Sequence, residues 1–236
     1  MTLPVAILAG GLATRLRPIT EKIPKILVDI GGKPFAAHQL ELLRRNGVTR
    51  VVLCVGHMGE KVREAIGNGL SQGMRIEYSF DGPKLLGTGG ALRNALPLLG
   101  KAFLVIYGDT YLECDYAAVE RTFLECGKAG LMTVFRNTGK WDSSNVVYRD
   151  GRIVNYDKEN RSSDMEHIDY GLGALRSEVF APYPAGEPID MEAIYRDLLA
   201  HDELAAFEVT RRFYEIGSHE GLEETRNYLS GKETFR

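Results

Sequence analysis

Near its start the chain carries a run with no polar position, Val5-Ala6-Ile7-Leu8, and such a run reads as a strand buried on both faces of a sheet. From Leu3 to about residue 135, short apolar runs of this kind alternate with stretches whose apolar positions recur at helical spacing. Phe35 to Arg45 places Ala36, Leu40 and Leu43 on one helical face and stops at Asn46-Gly47, after which Arg50 to Val55 reads as the next strand. The alternation continues through Lys61 to Ile66, Arg75 to Phe80, Ala91 to Leu99, Phe103 to Tyr107, Tyr116 to Lys128 and Leu131 to Phe135. About five strands with intervening helices predict an α/β fold, a doubly wound and mostly parallel sheet.

Beyond about residue 140 the texture changes. Val146 to Tyr148 and Ile153 to Tyr156 flank Asp150-Gly151, a dipeptide that supplies the positive φ angles of a tight hairpin. Ile168 to Leu175, Leu204 to Val209 and Phe213 to Ile216 read as strands, Met191 to Leu199 as a helix and His219 to Leu229 as a closing helix. This second region is expected to be antiparallel and inserted against the sheet edge, so that residues 1–236 form a single domain made of two regions, residues 1–140 and residues 141–236.

Composition narrows the partners. With 44% hydrophobic and 26% charged residues and no apolar stretch of membrane-spanning length, neither disorder nor a transmembrane segment is expected. The run Leu3 to Ala9 is not a signal-peptide core, because no basic residue precedes it and Arg15 and Arg17 follow at once. A net charge of −3 provides no bulk field for nucleic acid, although phosphate can still be bound locally. The three cysteines, Cys54, Cys114 and Cys126, contain no C-x-x-C pair and encode neither a disulfide framework nor a zinc knuckle, which suits a reducing cytoplasm. The five histidines show no metal-ligand spacing and read as structural or solvated.

Gly10-Gly11-Leu12-Ala13-Thr14-Arg15 follows the first strand directly, where a doubly wound sheet binds its ligand. Small residues let backbone N–H groups approach phosphoryl oxygens, Arg15 adds a planar fork of donors, and Lys25 adds a compact charge ten residues on. Neither G-x-x-x-x-G-K-[ST] nor G-x-G-x-x-G is present, which argues against a nicotinamide-dependent dehydrogenase.

The full run Leu8-Ala9-Gly10-Gly11-Leu12-Ala13-Thr14-Arg15-Leu16-Arg17-Pro18-Ile19-Thr20, followed by Pro24-Lys25 and Gly32-Lys33-Pro34, resembles the N-terminal signature of the sugar-1-phosphate nucleotidylyltransferases. The resemblance covers essentially the whole chain, through Leu86 to Ala91, Tyr107-Gly108-Asp109, Asp157-Lys158 and Tyr214-Glu215-Ile216-Gly217-Ser218. Within that family, Ser144 to Val147, Ile168 to Leu172 and Phe213 to Ser218 look most like the D-glycero-α-D-manno-heptose 1-phosphate guanylyltransferases. Two positions depart from the family pattern: Ala13 stands where a glycine is usual, and Glu215 with Ser218 replace aspartate and threonine. A residue at Ala13 forced to positive φ would be strained, and the longer arm of Glu215 would alter the geometry of any metal it holds.

What the resemblance implies is a Rossmann-like nucleotide-diphospho-sugar transferase fold and transfer of a nucleoside monophosphate, GMP from GTP by the finer match, to a sugar 1-phosphate. Mannose-1-phosphate guanylyl transfer and UDP- or dTDP-sugar synthesis are the alternatives, and a non-catalytic protein that binds nucleotide-sugar is an alternative of another class. The implied nucleotide contacts are Leu8, Ala9, Gly10, Gly11, Ala13, Thr14, Gly87 and Thr88, all within residues 1–140. Arg15 and Lys25 are the implied catalytic cations, Arg15 on the triphosphate and Lys25 between the α-phosphate and the incoming sugar phosphate. Asp109 and Glu215 are the implied ligands of Mg2+, which takes one or two carboxylates and completes its shell with phosphate and water. Asn145, Lys158, Asp169 and Gly171, all within residues 141–236, are the implied sugar contacts. The product would serve a bacterial capsule or lipopolysaccharide. A homo-oligomer is compatible with the sequence and not required by it.

Overall fold

Val5–Leu8 (β1) is almost wholly removed from solvent, as the central strands of a parallel sheet covered on both faces are, and such a strand has a parallel neighbour on each side. In the computed structural model, which describes residues 1–70, 73–137, 139 and 141–231, it has them. Chain order is β1, β2 (Asp29–Ile30), β3 (Lys33–Pro34), α1 (Phe35–Arg45), β4 (Arg50–Val55), α2 (Gly59–Ile66), β5 (Arg75–Phe80), α3 (Gly87–Leu99) and β6 (Ala102–Tyr107). It continues with β7 (Thr110–Tyr111), α4 (Tyr116–Cys126), β8 (Gly130–Arg136), β9 (Val146–Arg149), β10 (Arg152–Tyr156), β11 (His167–Arg176), α5 (Met191–Ala200), β12 (Leu204–Val209), β13 (Tyr214–Glu215) and α6 (His219–Leu229).

The parallel core runs β5-β4-β1-β6, with Ala6 in register with both Val52 and Val105. The chain winds outward from β1 on one side and returns to the other with β6, so the crevice between β1 and β6 opens at the carboxyl ends of those strands. Alternate side chains feed two apolar layers. Val5 and Ile7 face α1, α2 and α4, through residues such as Leu40, Val62 and Phe123, while Ala6 faces α3 and α5, through Leu92 and Ile194. The sheet is therefore covered by helices on both faces, as a doubly wound fold requires.

β11 pairs antiparallel with β6 on one side and with β8 on the other, and β12 then adds parallel to β8. Of the later strands β11 thus enters the sheet between β6 and β8, an insertion in place of the expected attachment at an edge, while β12 adds beyond β8. The β9–β10 hairpin meets β11 through His167 and Val146, and its turn has φ 51° at Asp150 and 79° at Gly151, the two positive angles its sequence implies. In β11 the register slips between Asp169 and Gly173, and Gly171 lies at φ 97°, so a bulge interrupts the strand at the sheet's ligand edge. The expected strand Phe213 to Ile216 shortens to the two residues of β13, which pairs with β7 outside the main sheet and carries Glu215 opposite Thr110.

Helix ends follow local chemistry. Asp115 caps α4 by accepting the Ala118 N–H at 2.9 Å, and Ser218 caps α6 by accepting that of Gly221 at 3.0 Å. Among the described residues no helix is long and apolar enough to cross a membrane.

Ala13 sits at φ 50°, ψ 43°, where its carbonyl accepts the hydroxyl of buried Thr20 at 2.7 Å. A side chain in this left-handed region costs about 1 kcal/mol, and glycine would recover that cost while loosening the unfolded chain by about 0.4–1 kcal/mol. Ala13→Gly is therefore expected to leave the thermal midpoint nearly unchanged. Ala13→Val, β-branched at positive φ, should lower it by several degrees. Equal midpoints for the glycine and valine variants in calorimetry would contradict this.

Candidate active site

Two cavities open at the carboxyl edge of the parallel strands. The first, of about 260 Å³, is floored by Leu8, Ala9, Gly10 and Gly11 from the end of β1, and walled by Gly87, Thr88 and Ala91 from the first turn of α3. Its floor is backbone because the neighbouring loops approach closely. A Cβ on Gly108 would stand 2.8 Å from the Leu8 carbonyl, and one on Gly10 would stand 3.0 Å from the Gly56 nitrogen. The glycines of α3 have a packing reason as well: Gly89 and Gly90 donate to the Ile189 carbonyl at 2.7 and 3.1 Å. The Thr88 hydroxyl accepts the Met191 N–H at 2.8 Å, so some of its hydrogen-bonding capacity ties α3 to α5.

The second cavity, of about 480 Å³, is lined by Arg15, Asn145, Lys158, Asp169, Gly171 and Glu215, which are otherwise scattered along the chain. The β11 bulge gives this wall its shape. Asp169 accepts the Gly171 N–H at 3.0 Å and the Tyr156 hydroxyl at 3.4 Å, while its own N–H donates to Asn145 Oδ1 at 2.9 Å. Burial pushes the Asp169 carboxyl above its ordinary range, and the charge of Lys158 opposes that push. The Lys158 ammonium stands 6.0 Å from the Tyr107 ring centre and 5.8 Å from that of Tyr156, so two aromatic faces hold it in the cavity. Burial keeps Tyr107, Tyr156 and Tyr195 neutral, with the nearby carboxylates pushing the same way.

Asp109 and Tyr107 line both cavities. Asp109 leaves the end of β6 after Gly108, its carbonyl accepts the Ile216 N–H at 2.8 Å, and its carboxylate meets the Lys25 ammonium at 2.5 Å. Lys25 reaches it from a one-turn 3-10 helix that follows Pro24 and is anchored by Ile26, 2% exposed. The pairing of β13 with β7 brings in the third charged group. A Cβ on Gly217 would stand 2.6 Å from Glu215 Oε2, 3.3 Å from Asp109 Oδ2 and 3.4 Å from Arg15 Nη2, so two carboxylates and a guanidinium converge on one glycine. The long arm of Glu215 folds back over α6, where its carboxylate accepts the Ser218 hydroxyl at 2.6 Å and the Gly217 N–H. Negative charge is favoured at that helix N-terminus.

Among the described residues no group of three or more His, Cys, Asp and Glu is placed to hold a metal ion. The pair Asp109 and Glu215 suits a hard divalent cation that arrives with phosphate oxygens and water, since Mg2+ asks for only one or two carboxylates. A closed all-protein cage is not what these residues form.

Of the residues singled out from sequence, Leu8, Ala9, Gly10, Gly11, Gly87, Thr88 and Lys25 meet in the first cavity, and Arg15, Asn145, Lys158, Asp169, Gly171 and Glu215 in the second. Arg15 thus stands on the second-cavity side of Asp109, apart from the glycine-floored cavity. Ala13 and Thr14 line neither cavity and form the turn that presents Arg15. Sequence reasoning missed Asp81, Leu85 and Asp190 in the first cavity and Trp141, Ser143 and Arg161 in the second. Asp81 carried a usable signal: it directly follows β5, at the same edge as Gly10 and Asp109. Its carboxylate accepts the Leu86 N–H at 3.2 Å, and burial raises its pKa against that bond.

A doubly wound sheet has a glycine-floored cavity at its switch point, and Tyr107 and Asp109 join it to a second, polar cavity. Residues 5–145 match the nucleotidyl transferase family model, more than half of the chain, and the chain belongs to that family. It is 38% identical over 117 residues to the N-acetylmuramate alpha-1-phosphate uridylyltransferase of Neisseria meningitidis, a stretch covering 49% of this chain and 51% of that protein. It is 35% identical over 114 residues to the D-glycero-alpha-D-manno-heptose 1-phosphate guanylyltransferase of Campylobacter jejuni, covering 48% and 51%. The chain spans about half the length of the curated relatives it matches. Among solved structures, HddC from Yersinia pseudotuberculosis complexed with GMP-PN superposes with a TM-score of 0.80 at 27% identity, covering 96% of this chain and 99% of that one. A putative glucose-1-phosphate thymidylyltransferase from Bacillus anthracis, at 22% identity, shares the fold with a TM-score of 0.85, covering 99% and 97%.

Proposed function

We propose that the protein transfers GMP from GTP to a sugar 1-phosphate, D-glycero-α-D-manno-heptose 1-phosphate, giving the GDP-sugar and pyrophosphate. The observation that carries this reading is the junction: Asp109 lines both cavities and is paired there with Lys25. Triphosphate in the first cavity and sugar phosphate in the second would meet at that pair. A phosphate oxygen of the sugar attacks the α-phosphorus, a new P–O bond forms, and the bond to the β-phosphate breaks as pyrophosphate leaves with its electron pair. The nucleophile is already anionic, so no general base is needed, and the protein's work is positioning and charge neutralisation. Lys25 exchanges Asp109 for phosphate oxygens, and Arg15 neutralises charge from the sugar side. When bound by Asp109 and Glu215, Mg2+ would supply Lewis-acid neutralisation of the phosphates.

Guanine is favoured over uracil by Asp81, a carboxylate on the wall of the first cavity. Guanine offers its N1–H and N2–H2 to a carboxylate, whereas uracil offers one imide N–H between two carbonyl oxygens that a carboxylate repels. This observation weighs against UMP transfer, the activity named for the Neisseria meningitidis relative. The heptose is supported by the Campylobacter jejuni relative, and the guanine nucleotide by the likeness to HddC complexed with GMP-PN. The GDP-sugar would then feed a glycosyl transfer that builds bacterial surface polysaccharide, with synthesis in the cytoplasm. A purely regulatory nucleotide-sugar binder has no use for the Arg15, Lys25 and Asp109 constellation.

The test is kcat/KM for pyrophosphate release with GTP, UTP, CTP, ATP and dTTP against the heptose 1-phosphate and mannose 1-phosphate. GTP with the heptose should lead, with mannose 1-phosphate poorer but detectable, because spare room rejects a smaller sugar weakly. Asp81→Asn should lower kcat/KM for GTP about ten- to a hundredfold while changing that for UTP far less. A clear lead for UTP or dTTP, or for mannose 1-phosphate, would contradict the substrate pair.

A further inference from the structure

Trp141, the chain's single tryptophan, lines the sugar-side cavity and the smaller cavity of about 110 Å³ beside it, and is 38% exposed. Nothing in the transfer reaction uses it. An indole left open to water over more than a third of its surface forfeits part of the stabilisation its burial would give. Its position is nonetheless fixed with care. The Arg212 guanidinium lies 3.4 Å from the Trp141 ring centre and 4.3 Å from the Tyr214 ring centre, with Glu224 holding Nη2 at 2.7 Å. Tyr214 in turn stacks on Tyr228 at 3.9 Å with the planes 12° apart. Trp141, Arg212, Tyr214 and Tyr228 are therefore linked by successive contacts, rooted in the strand that carries Glu215 and in α6.

Trp141 is fastened from a second direction. Asn137, 5% exposed, accepts the Trp141 N–H through Oδ1 at 3.3 Å and donates through Nδ2 to the Ser144 hydroxyl at 3.3 Å and to the Asp142 carbonyl. A large aromatic plane is thus held rigidly at a cavity whose polar side is supplied by Asn145, Lys158 and Asp169. That is the chemistry a sugar presents: hydroxyls and a phosphate around its edge, and ring C–H groups gathered on a face that an aromatic plane covers.

We propose, on the basis of the transfer reading, that the face of Trp141 turned from Arg212 stacks on the apolar ring face of the sugar 1-phosphate. Arg212 acts as a positioning residue that holds the indole in that plane. This contact serves the sugar and leaves the nucleotide untouched, so it belongs in the KM for sugar and not in the KM for GTP.

The sole tryptophan reports on itself. Titrating the wild-type protein with mannose 1-phosphate and with the heptose 1-phosphate should give a saturable change in tryptophan emission that inorganic phosphate does not reproduce. Trp141→Ala should raise KM for the sugar 1-phosphate about tenfold or more, with KM for GTP and kcat within about twofold, and Trp141→Phe should restore most of the loss. Arg212→Met and the charge-retaining Arg212→Lys, each checked for an unchanged fold by circular dichroism, should raise the same KM in that order of severity. Turnover by the wild type without any emission change, together with an unaltered sugar KM in Trp141→Ala, overturns the stacking role and leaves the transfer reading standing. Absence of turnover and of calorimetric binding with both sugar phosphates overturns the two together.

Discussion

Lys25→Ala is expected to cut turnover by about a hundredfold or more while the thermal midpoint moves by only a few degrees. The ammonium sits 2.5 Å from Asp109, which with Tyr107 lines both cavities, so in the proposed reaction it would face the α-phosphate and the incoming sugar phosphate together. Charge on those oxygens is redistributed in the transition state. Removing a fixed cation that strengthens there costs about 2–4 kcal/mol, which is the predicted loss in rate. Folding depends on a different residue of the same turn, Ile26, and the Lys25 side chain keeps 23% of its surface exposed. Initial rates of pyrophosphate release beside a thermal melt of the same sample separate the two effects. A folded Lys25→Ala protein with wild-type turnover would remove Lys25 from the reaction.

Asp109→Asn should also lower activity by about a hundredfold at limiting Mg2+, and excess Mg2+ should recover some of it. The substitution takes one negative charge from the pair that converges with Arg15 on Gly217 and leaves Lys25 without its partner. The backbone is spared, since the Asp109 carbonyl still accepts from Ile216, and asparagine fills the same volume. The melt without ligand should therefore stay close to that of the wild type. Glu215→Gln is expected to be milder on metal dependence but harsher on stability, because the Glu215 carboxylate also ties Ser218 and Gly217 at the start of α6. Rate against Mg2+ concentration for both variants reads this directly, and full activity in excess chelator would contradict it.

Much of the parallel half was legible along the chain, for physical reasons. Phe35–Arg45, Arg50–Val55, Leu204–Val209 and His219–Leu229 have the limits their patterns imply, because each is a mostly apolar run or an amphipathic stretch bounded by a cap or a glycine. The insertion of β11 between β6 and β8 was not legible. It depends on pairing between residues far apart in sequence, and local periodicity says nothing of which strand a run will join. The site divides in the same way. Residues beside a strand end and a glycine, such as Gly10 and Asp109, announced themselves, whereas Asp190 and Trp141 reach the cavities only through tertiary packing. Ala13 did carry its message: its positive φ is what a glycine-like position occupied by alanine entails.

The central claim is that nucleotide and sugar phosphate are joined at the Lys25 and Asp109 junction. Phosphorus NMR of the protein incubated with Mg2+, GTP and D-glycero-α-D-manno-heptose 1-phosphate observes the bond that forms and the bond that breaks. The predicted result is a nucleoside diphosphosugar appearing in equal amount with pyrophosphate, at a rate that collapses in Lys25→Ala. Unchanged GTP and sugar phosphate signals from folded wild-type protein, with the other triphosphates and with mannose 1-phosphate as well, would contradict it.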